Sequence, residues 1–132
     1  MKNILVVDDN PLNVNLARII LTRAGHAVRT AGNAPAALQR LSEEMADVVV
    51  TDINMPEVTG IELCRDLRTR YPGPGLRIVA DTARAMSEEL RAIHRAGFDA
   101  IVVKPATKDT LLAAIDAEGM PHPHVAEGHH GA

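Results

Sequence analysis

The chain has 132 residues, enough for one domain that buries about two-thirds of its unfolded surface. Apolar residues make up 46% of it and charged residues 23%, and no apolar run reaches the roughly 18 residues of a membrane span, which excludes membrane and disordered proteins. The 14 Lys and Arg against 17 Asp and Glu give a net charge of -3, so direct nucleic-acid binding is not expected.

The only cysteine and the first apolar run bear on the compartment. Cys64 has no second cysteine with which to form an internal disulfide. The apolar run at residues 4–7 is too short for the core of a secretion signal. Both features favour a cytoplasmic location.

Strand and helix patterns alternate five times along the chain. Helical spacing of apolar residues follows each strand pattern, at residues 12–20, 34–45, 61–67, 86–93 and 111–115. Short runs rich in β-branched residues predict strands at residues 4–7, 27–28, 48–50, 76–80 and 100–103. Because these runs are apolar throughout, each strand is expected to be buried on both faces, as in a parallel sheet between two helical layers.

Helix boundaries support this assignment. Asn10 can cap the first helix with Pro11 at its first position, Gly97 can end the fourth, and Thr107 can cap the fifth. The predicted fold is α/β, a flavodoxin-like (βα)5 doubly wound parallel sheet with strand order 2-1-3-4-5. The pattern stops near residue 117, and residues 118–132, rich in Gly, Pro and His, are predicted to form a flexible C-terminal tail.

Polar residues stand where the predicted strands end. Ligands of an open parallel sheet bind beyond the carboxyl ends of the strands, where the strand order reverses. With the first and third strands as neighbours, three carboxylates share one pocket at that point. The strand-end residues are Asp8 and Asp9 after the first strand, Asp52 after the third, Asp81 and Thr82 after the fourth, and Lys104 after the fifth.

The residue types indicate phosphoryl chemistry. Clustered carboxylates repel each other unless a cation neutralises them, and oxygen ligands without His or Cys favour Mg²⁺ over zinc. Lys104 adds a fixed positive charge. A carboxylate such as Asp52 beside two cations is a poor base, but it can attack a phosphoryl group whose oxygens the cations hold. The Thr82 hydroxyl can then bond a phosphoryl oxygen and report its presence.

These residues resemble the receiver domains of two-component response regulators. The strongest match is the run from Asp52 to Gly60, which fits the D-x-x-M-P-x-x-x-G motif of that family. The other three family markers are matched, in order, by the acidic pair Asp8-Asp9, by Thr82-Ala83 and by Lys104-Pro105. The resemblance spans residues 2 to about 117 and implies a receiver domain at residues 1–117.

The resemblance also implies roles for single residues. Asp52 would be the phosphoacceptor, and Asp9 and Asp52 would bind Mg²⁺ together with the backbone carbonyl of Asn54. Asp8 would act on the ion through a water, and Lys104 would pair with the phosphoryl group. The peptide bond between Lys104 and the following proline is expected to be cis.

Two positions depart from the family pattern. Ile101 stands where receivers usually have Tyr or Phe, so the aromatic half of the usual switch is missing. Asp81 stands where receivers usually carry an aliphatic residue, and it adds an acid either near the anionic site or on the outer face. These departures favour one alternative, a pseudo-receiver that binds partner proteins without phosphate.

The resulting hypothesis is a single-domain response regulator phosphorylated on Asp52 by a histidine kinase or a histidine phosphotransfer protein. It would act on an unknown downstream protein by contact, or pass the phosphate onward in a phosphorelay. The opening from Asp8 to Asn13 is most similar to receivers of hybrid kinases. The chain is not expected to be an enzyme beyond its own phosphorylation and dephosphorylation, to carry a DNA-binding output domain, or to dimerise.

Two other classes fit less well. A flavodoxin-like cofactor binder needs a phosphate loop after the first strand, where Asp8 and Asp9 would repel the anion. An aspartyl-phosphate hydrolase would typically carry its nucleophile in an Asp-x-Asp arrangement on the first strand, with a cap domain. The sequence has neither feature.

Overall fold

A computed structural model describes residues 1–116 and 124–126. The helices are α1 (Pro11–Arg23), α2 (Ala34–Glu43), α3 (Gly60–Arg70), α4 (Ser87–Ala96) and α5 (Lys108–Asp116). The strands are β1 (Asn3–Val7), β2 (Ala27–Ala31), β3 (Val48–Asp52), β4 (Arg77–Thr82), β5 (Ala100–Val103) and β6 (His124–Ala126). None of the helices in these ranges has the length and apolar character needed to cross a membrane.

The sheet is parallel, and its first five strands are ordered β2-β1-β3-β4-β5, which confirms the predicted topology. A sixth strand was not predicted. Residues 124–126 pair with β5 in parallel, with Ile101 beside Val125, although they fall in the segment predicted as a flexible tail. An edge strand offers unpaired backbone groups that a following extended segment can bond. The rest of the tail lies outside the described residues, and the boundary at residue 117 stays a prediction.

Four of the five predicted strands, β1, β3, β4 and β5, are buried on both faces, as their sequence predicted. The prediction is wrong for β2, an edge strand in which only Ala31 is buried. On one face, α1 and α5 cover a cluster that we call the α1–α5 cluster: Ile4, Val6, Ala17, Leu21, Val48, Val50, Val79, Ala100, Val102, Leu111, Ala114 and Ile115. On the other face, the α2–α4 cluster includes Leu5, Val7, Leu41, Val49, Leu63, Leu67, Ile78, Ala80, Ile93, Phe98 and Ile101. Because side chains alternate along a strand, residues two apart face the same cluster.

Local bonds fix where the helices begin and end. The Asn10 side chain accepts a hydrogen bond from the backbone of Leu12 at 2.9 Å, and the Thr107 hydroxyl accepts one from the backbone of Thr110 at 3.2 Å. Gly97 ends α4 with a φ of 103°, a left-handed conformation that glycine adopts readily. The predicted helix boundaries at these three residues are confirmed.

Candidate functional site: an acidic pocket with one lysine

The site lies at the carboxyl ends of β1, β3 and β5. Asp8 follows β1, Asp52 ends β3, and Lys104 follows β5. The residues two positions earlier, Val6, Val50 and Val102, all belong to the α1–α5 cluster. Strand alternation therefore brings the three charged side chains to the same side of the sheet.

Lys104 bridges two buried carboxylates. Its Nζ donates to Asp8 Oδ2 at 3.2 Å and to Asp52 Oδ1 at 3.1 Å. The side chains are 18% exposed for Lys104, 3% for Asp8 and 7% for Asp52. At this degree of burial, water screens the charges weakly, and removing one partner leaves the others uncompensated.

Three acids can reach one ion. Asp8, Asp9 and Asp52 each place a carboxylate oxygen within 4.8 Å of the others, and Asp9 is exposed while the other two are buried. Carboxylate oxygens are the hard ligands that Mg²⁺ prefers, and one solvent-facing ligand suits an ion that keeps part of its water shell. The donor set therefore fits Mg²⁺. Asn54 lies exposed two residues after Asp52, and the role of its carbonyl as a further ligand stays a prediction.

The environment of Asp52 favours a cation. Burial raises the pKa of this carboxyl, the hydrogen bond from Lys104 lowers it, and the charge of Asp8 raises it. The net direction is upward, so the ionised form of Asp52 is less stable here than that of a carboxyl in water. A bound cation would offset the burial and the repulsion together.

Thr82 faces the opposite side of the sheet. Ile78 and Ala80, on the same strand, lie in the α2–α4 cluster, so alternation directs Thr82 there as well. Its hydroxyl accepts a bond from the Arg84 backbone at 3.1 Å, and its carbonyl oxygen accepts one from the Lys104 backbone at 2.8 Å. Thr82 thus connects the strand end at the acidic pocket with the loop before α4.

The structure also describes two other positions of the family pattern, Ile101 and the Lys104-Pro105 bond. Ile101 is 1% exposed and packs in the α2–α4 cluster, where it serves as a core residue. The Lys104-Pro105 peptide bond is cis, as expected from the resemblance.

Asp81, whose position the sequence left open, faces the site. Val79 belongs to the α1–α5 cluster, so Asp81 points to the same side as Asp52, its register partner on β3. It is 7% exposed, and its Oδ1 is buried without a hydrogen-bond partner among the described residues. Burial raises its pKa to about 7. The charge of Lys104 lowers this pKa, and the charges of Asp8 and Asp52 raise it further. The departure from the family pattern thus adds a buried acid to the face that carries Asp8 and Asp52.

The raised pKa of Asp81 predicts a loss of stability with rising pH. Between its usual value of 3.8 and about 7, the folded state keeps a proton that the unfolded chain has released, so the free energy of unfolding falls across this window. The full shift of this pKa corresponds to a loss of about 4 kcal/mol in the free energy of unfolding. Urea unfolding without divalent cations should show a weaker pH dependence for Asp81→Asn than for the native chain. Equal slopes between pH 4 and 8 would contradict the burial of this carboxyl as the cause.

Gly60 packs beside the site. The sequence showed that it ends the D-x-x-M-P-x-x-x-G motif but did not show why a glycine is needed there. Its N–H donates to the carbonyl of Ile53 at 2.9 Å. A Cβ at this position would collide with the carbonyl oxygen of Asp52 and lie 2.9 Å from Cα of Ile53. The start of α3 therefore packs against the backbone that carries Asp52. The fixed spacing from Asp52 to Gly60 was the only sequence signal of this contact.

Comparison with known proteins supports one family. The family model for the response regulator receiver domain matches residues 4–116. The chain is 38% identical over 108 residues to the sensor histidine kinase RcsC of Escherichia coli, an alignment that covers 82% of this chain and 11% of the kinase. It is 37% identical over 113 residues to an uncharacterised 14.6 kDa protein of Leptolyngbya boryana, with 86% of both chains covered. The chain thus spans only about a tenth of the kinase that it matches.

Solved structures give the same result for the fold. The chemotaxis protein CheY4 of Vibrio cholerae superposes with a TM-score of 0.83 at 28% identity, covering 89% of this chain and 98% of that protein. Similarity to a sensor kinase agrees with the resemblance to receivers of hybrid kinases. From its family match, its relatives and its fold, the chain belongs to the family of response regulator receiver domains.

Proposed function

We propose that this receiver domain accepts a phosphoryl group on Asp52 from a phosphohistidine of a histidine kinase or a histidine phosphotransfer protein. The observation that carries the proposal is the 3.1 Å bond between Lys104 Nζ and Asp52 Oδ1 inside a cluster of three acids. It joins a carboxylate nucleophile to a donor that can bind phosphoryl oxygens. Receiver domains are signalling domains rather than a class of enzymes. Phosphorylation of the aspartate would act as the signalling switch.

The transfer needs little from the protein beyond positioning. An oxygen of Asp52 attacks the phosphorus, the bond from phosphorus to the donor imidazole nitrogen breaks, and that nitrogen keeps the electron pair. The product is an aspartyl phosphate. Lys104 is already bonded at the attacking carboxylate, so its N–H groups can follow the transferred oxygens and stabilise their charge.

Asp8, Asp9 and Asp52, with the carbonyl of Asn54, would hold the Mg²⁺. When bound, the ion supplies positive charge that neutralises the acids and the phosphoryl oxygens. Without it, an incoming phosphoryl group would meet the charges of Asp8 and Asp9 beside Asp52. Phosphorylation is therefore expected to require a divalent cation.

The signal would leave the site through Thr82. A phosphoryl group on Asp52 would extend beyond the strand ends, where its oxygens could accept a hydrogen bond from the Thr82 hydroxyl if that hydroxyl turned away from the Arg84 backbone, to which it now bonds. A shift of this hydroxyl would move the loop before α4 and change the surface around α4 and β5. The domain would then act as a cytoplasmic monomer, by contact with a downstream protein or by passing the phosphate onward.

Replacing Asp52 tests the proposal. Incubation with acetyl phosphate and Mg²⁺, followed by intact-mass spectrometry, should add one phosphoryl group to the native chain and none to Asp52→Ala. Asp66→Ala is the matched control, because Asp66 is an acid on α3 that pairs only with Arg70 in the described contacts. Phosphorylation of Asp52→Ala at the native level would refute the assignment.

A pseudo-receiver is the second candidate, favoured by Asp81 buried on the face of the acidic pocket and by Ile101 in place of an aromatic residue. Such a domain would bind its partner with or without phosphate. If neither acetyl phosphate nor a phosphorylated phosphotransfer protein labels the native chain with Mg²⁺ present, this second reading holds.

A further inference from the structure

The face of the sheet that carries the acidic pocket holds one more buried carboxyl than the proposed chemistry uses. Asp81 is 7% exposed, and its Oδ1 has no hydrogen-bond partner in the described part of the chain. A buried, unbonded polar atom is costly and rare in folded proteins. An aliphatic side chain at this position would avoid that cost. The presence of the carboxyl therefore calls for a partner in some state of the site.

Lys104 is the cation placed to be that partner. Asp81 stands between Asp52 and Val102 in the register of the sheet, and Lys104 follows two residues after Val102 on the same face. The ammonium has three N–H donors, of which Asp8 and Asp52 accept two. Among the described residues, Lys104 supplies the positive charge that acts on Asp81.

We propose that Asp81 is a positioning residue that competes with the phosphoryl group for Lys104. The inference rests on the proposed function, because the competition matters only when a phosphoryl group enters the site. Whenever Lys104 leaves Asp52 to follow the transferred oxygens, the unbonded Asp81 oxygen on the same face of the sheet is an alternative acceptor for it. Both protonation forms of a carboxyl offer an acceptor oxygen, so the competition does not depend on the charge of Asp81.

Competition slows phosphoryl uptake, and removing the carboxyl releases the lysine. Asp81→Leu is expected to take up phosphoryl from acetyl phosphate about 3- to 10-fold faster than the native chain at saturating Mg²⁺, the range that one hydrogen bond spans. Asp81→Asn keeps an acceptor oxygen in the same place and should stay within about twofold of the native rate. If Asp81 served only to pack the core, Asp81→Leu would not take up phosphoryl faster than Asp81→Asn.

Lys104 provides the second arm of the experiment. In a Lys104→Met background, Asp81→Leu should have no effect on the rate, since the lysine for which Asp81 competes is gone. Asp81→Ala removes the carboxyl without adding volume and should give the same gain as Asp81→Leu, so the result does not depend on whether leucine is tolerated. Circular dichroism and urea unfolding with Mg²⁺ identify variants that remain folded.

The outcomes separate this inference from the function on which it rests. Equal rates for the native chain and both carboxyl-free variants would overturn the role of Asp81 and leave phosphorylation of Asp52 intact. A gain that persists in the Lys104→Met background would also overturn it, because the effect would then not pass through the lysine. A native chain that takes up no phosphoryl group from any donor would overturn both proposals.

Discussion

Replacing Gly60 by alanine is expected to lower the free energy of unfolding by about 3 kcal/mol. The added Cβ would overlap the carbonyl oxygen of Asp52 and lie 2.9 Å from Cα of Ile53, which is closer than such atoms approach in folded proteins. Both obstacles are backbone atoms, so no side-chain rotation can relieve the overlap. The usual gain of about 1 kcal/mol from alanine in a helix is too small to compensate. Chemical denaturation of the purified variant measures the change.

Gly32→Ala is the matched control. Gly32 has open space where a Cβ would be added, and its backbone is outside the left-handed region. The same substitution there should change stability by no more than about 0.5 kcal/mol. If Gly60→Ala is as stable as Gly32→Ala, then α3 does not rest against the Asp52 backbone as described. If Gly60→Ala folds but accepts phosphoryl poorly, the overlap has displaced Asp52.

Lys104→Met is expected to reduce phosphoryl uptake from acetyl phosphate by about 100-fold or more, the effect of removing one donor to developing oxygen charge in an active site. Methionine preserves most of the apolar stem that the lysine packs into the pocket, so the change chiefly removes the ammonium. Asp8 and Asp52 lose the donor that they share at 3.2 and 3.1 Å. Uptake is followed by intact mass over time, at saturating Mg²⁺.

The control for this variant is Lys108→Met. Lys108 is exposed at the start of α5, four residues after Lys104, and its replacement should leave the uptake rate within about twofold of native. The two variants differ equally from the native chain in net charge, so a general electrostatic effect on the anionic donor would slow both. A Lys104→Met rate close to native would refute the role of the ammonium in transfer.

The fold could be predicted because its signals are local. Uniformly apolar strands at residues 4–7 and 48–50 can lie only in a sheet covered on both faces, and Asn10 and Thr107 mark helix starts by their own side-chain bonds. The strand order 2-1-3-4-5 was adopted with the flavodoxin-like fold, and the right-handed crossovers then fix the face on which each helix lies. β6 could not be predicted in this way, because residues 124–126 lack the long apolar run of the other strands and pair only with the edge that β5 leaves open.

The charged site was predictable to a similar degree. Residues that directly end parallel strands must meet at one edge of the sheet, so Asp8, Asp52 and Lys104 could be grouped from their positions alone. Their individual distances could not be predicted. The two bonds of Lys104, and the fact that Asp9 stays exposed while Asp8 is buried, depend on side-chain packing that no spacing rule encodes.

Asp81 and Gly60 show where the tertiary structure was needed. By itself the sequence determined the alternation of strands and helices, the acids and the lysine at the strand ends, and the motif that reaches Gly60. Only the packed structure decided that Asp81 is buried on the face that carries Asp52, rather than exposed to solvent, and that Gly60 touches the Asp52 backbone. The physical reason is that strand alternation fixes a face only once the register with neighbouring strands is known, and close contacts between distant backbone segments exist only after the layers pack.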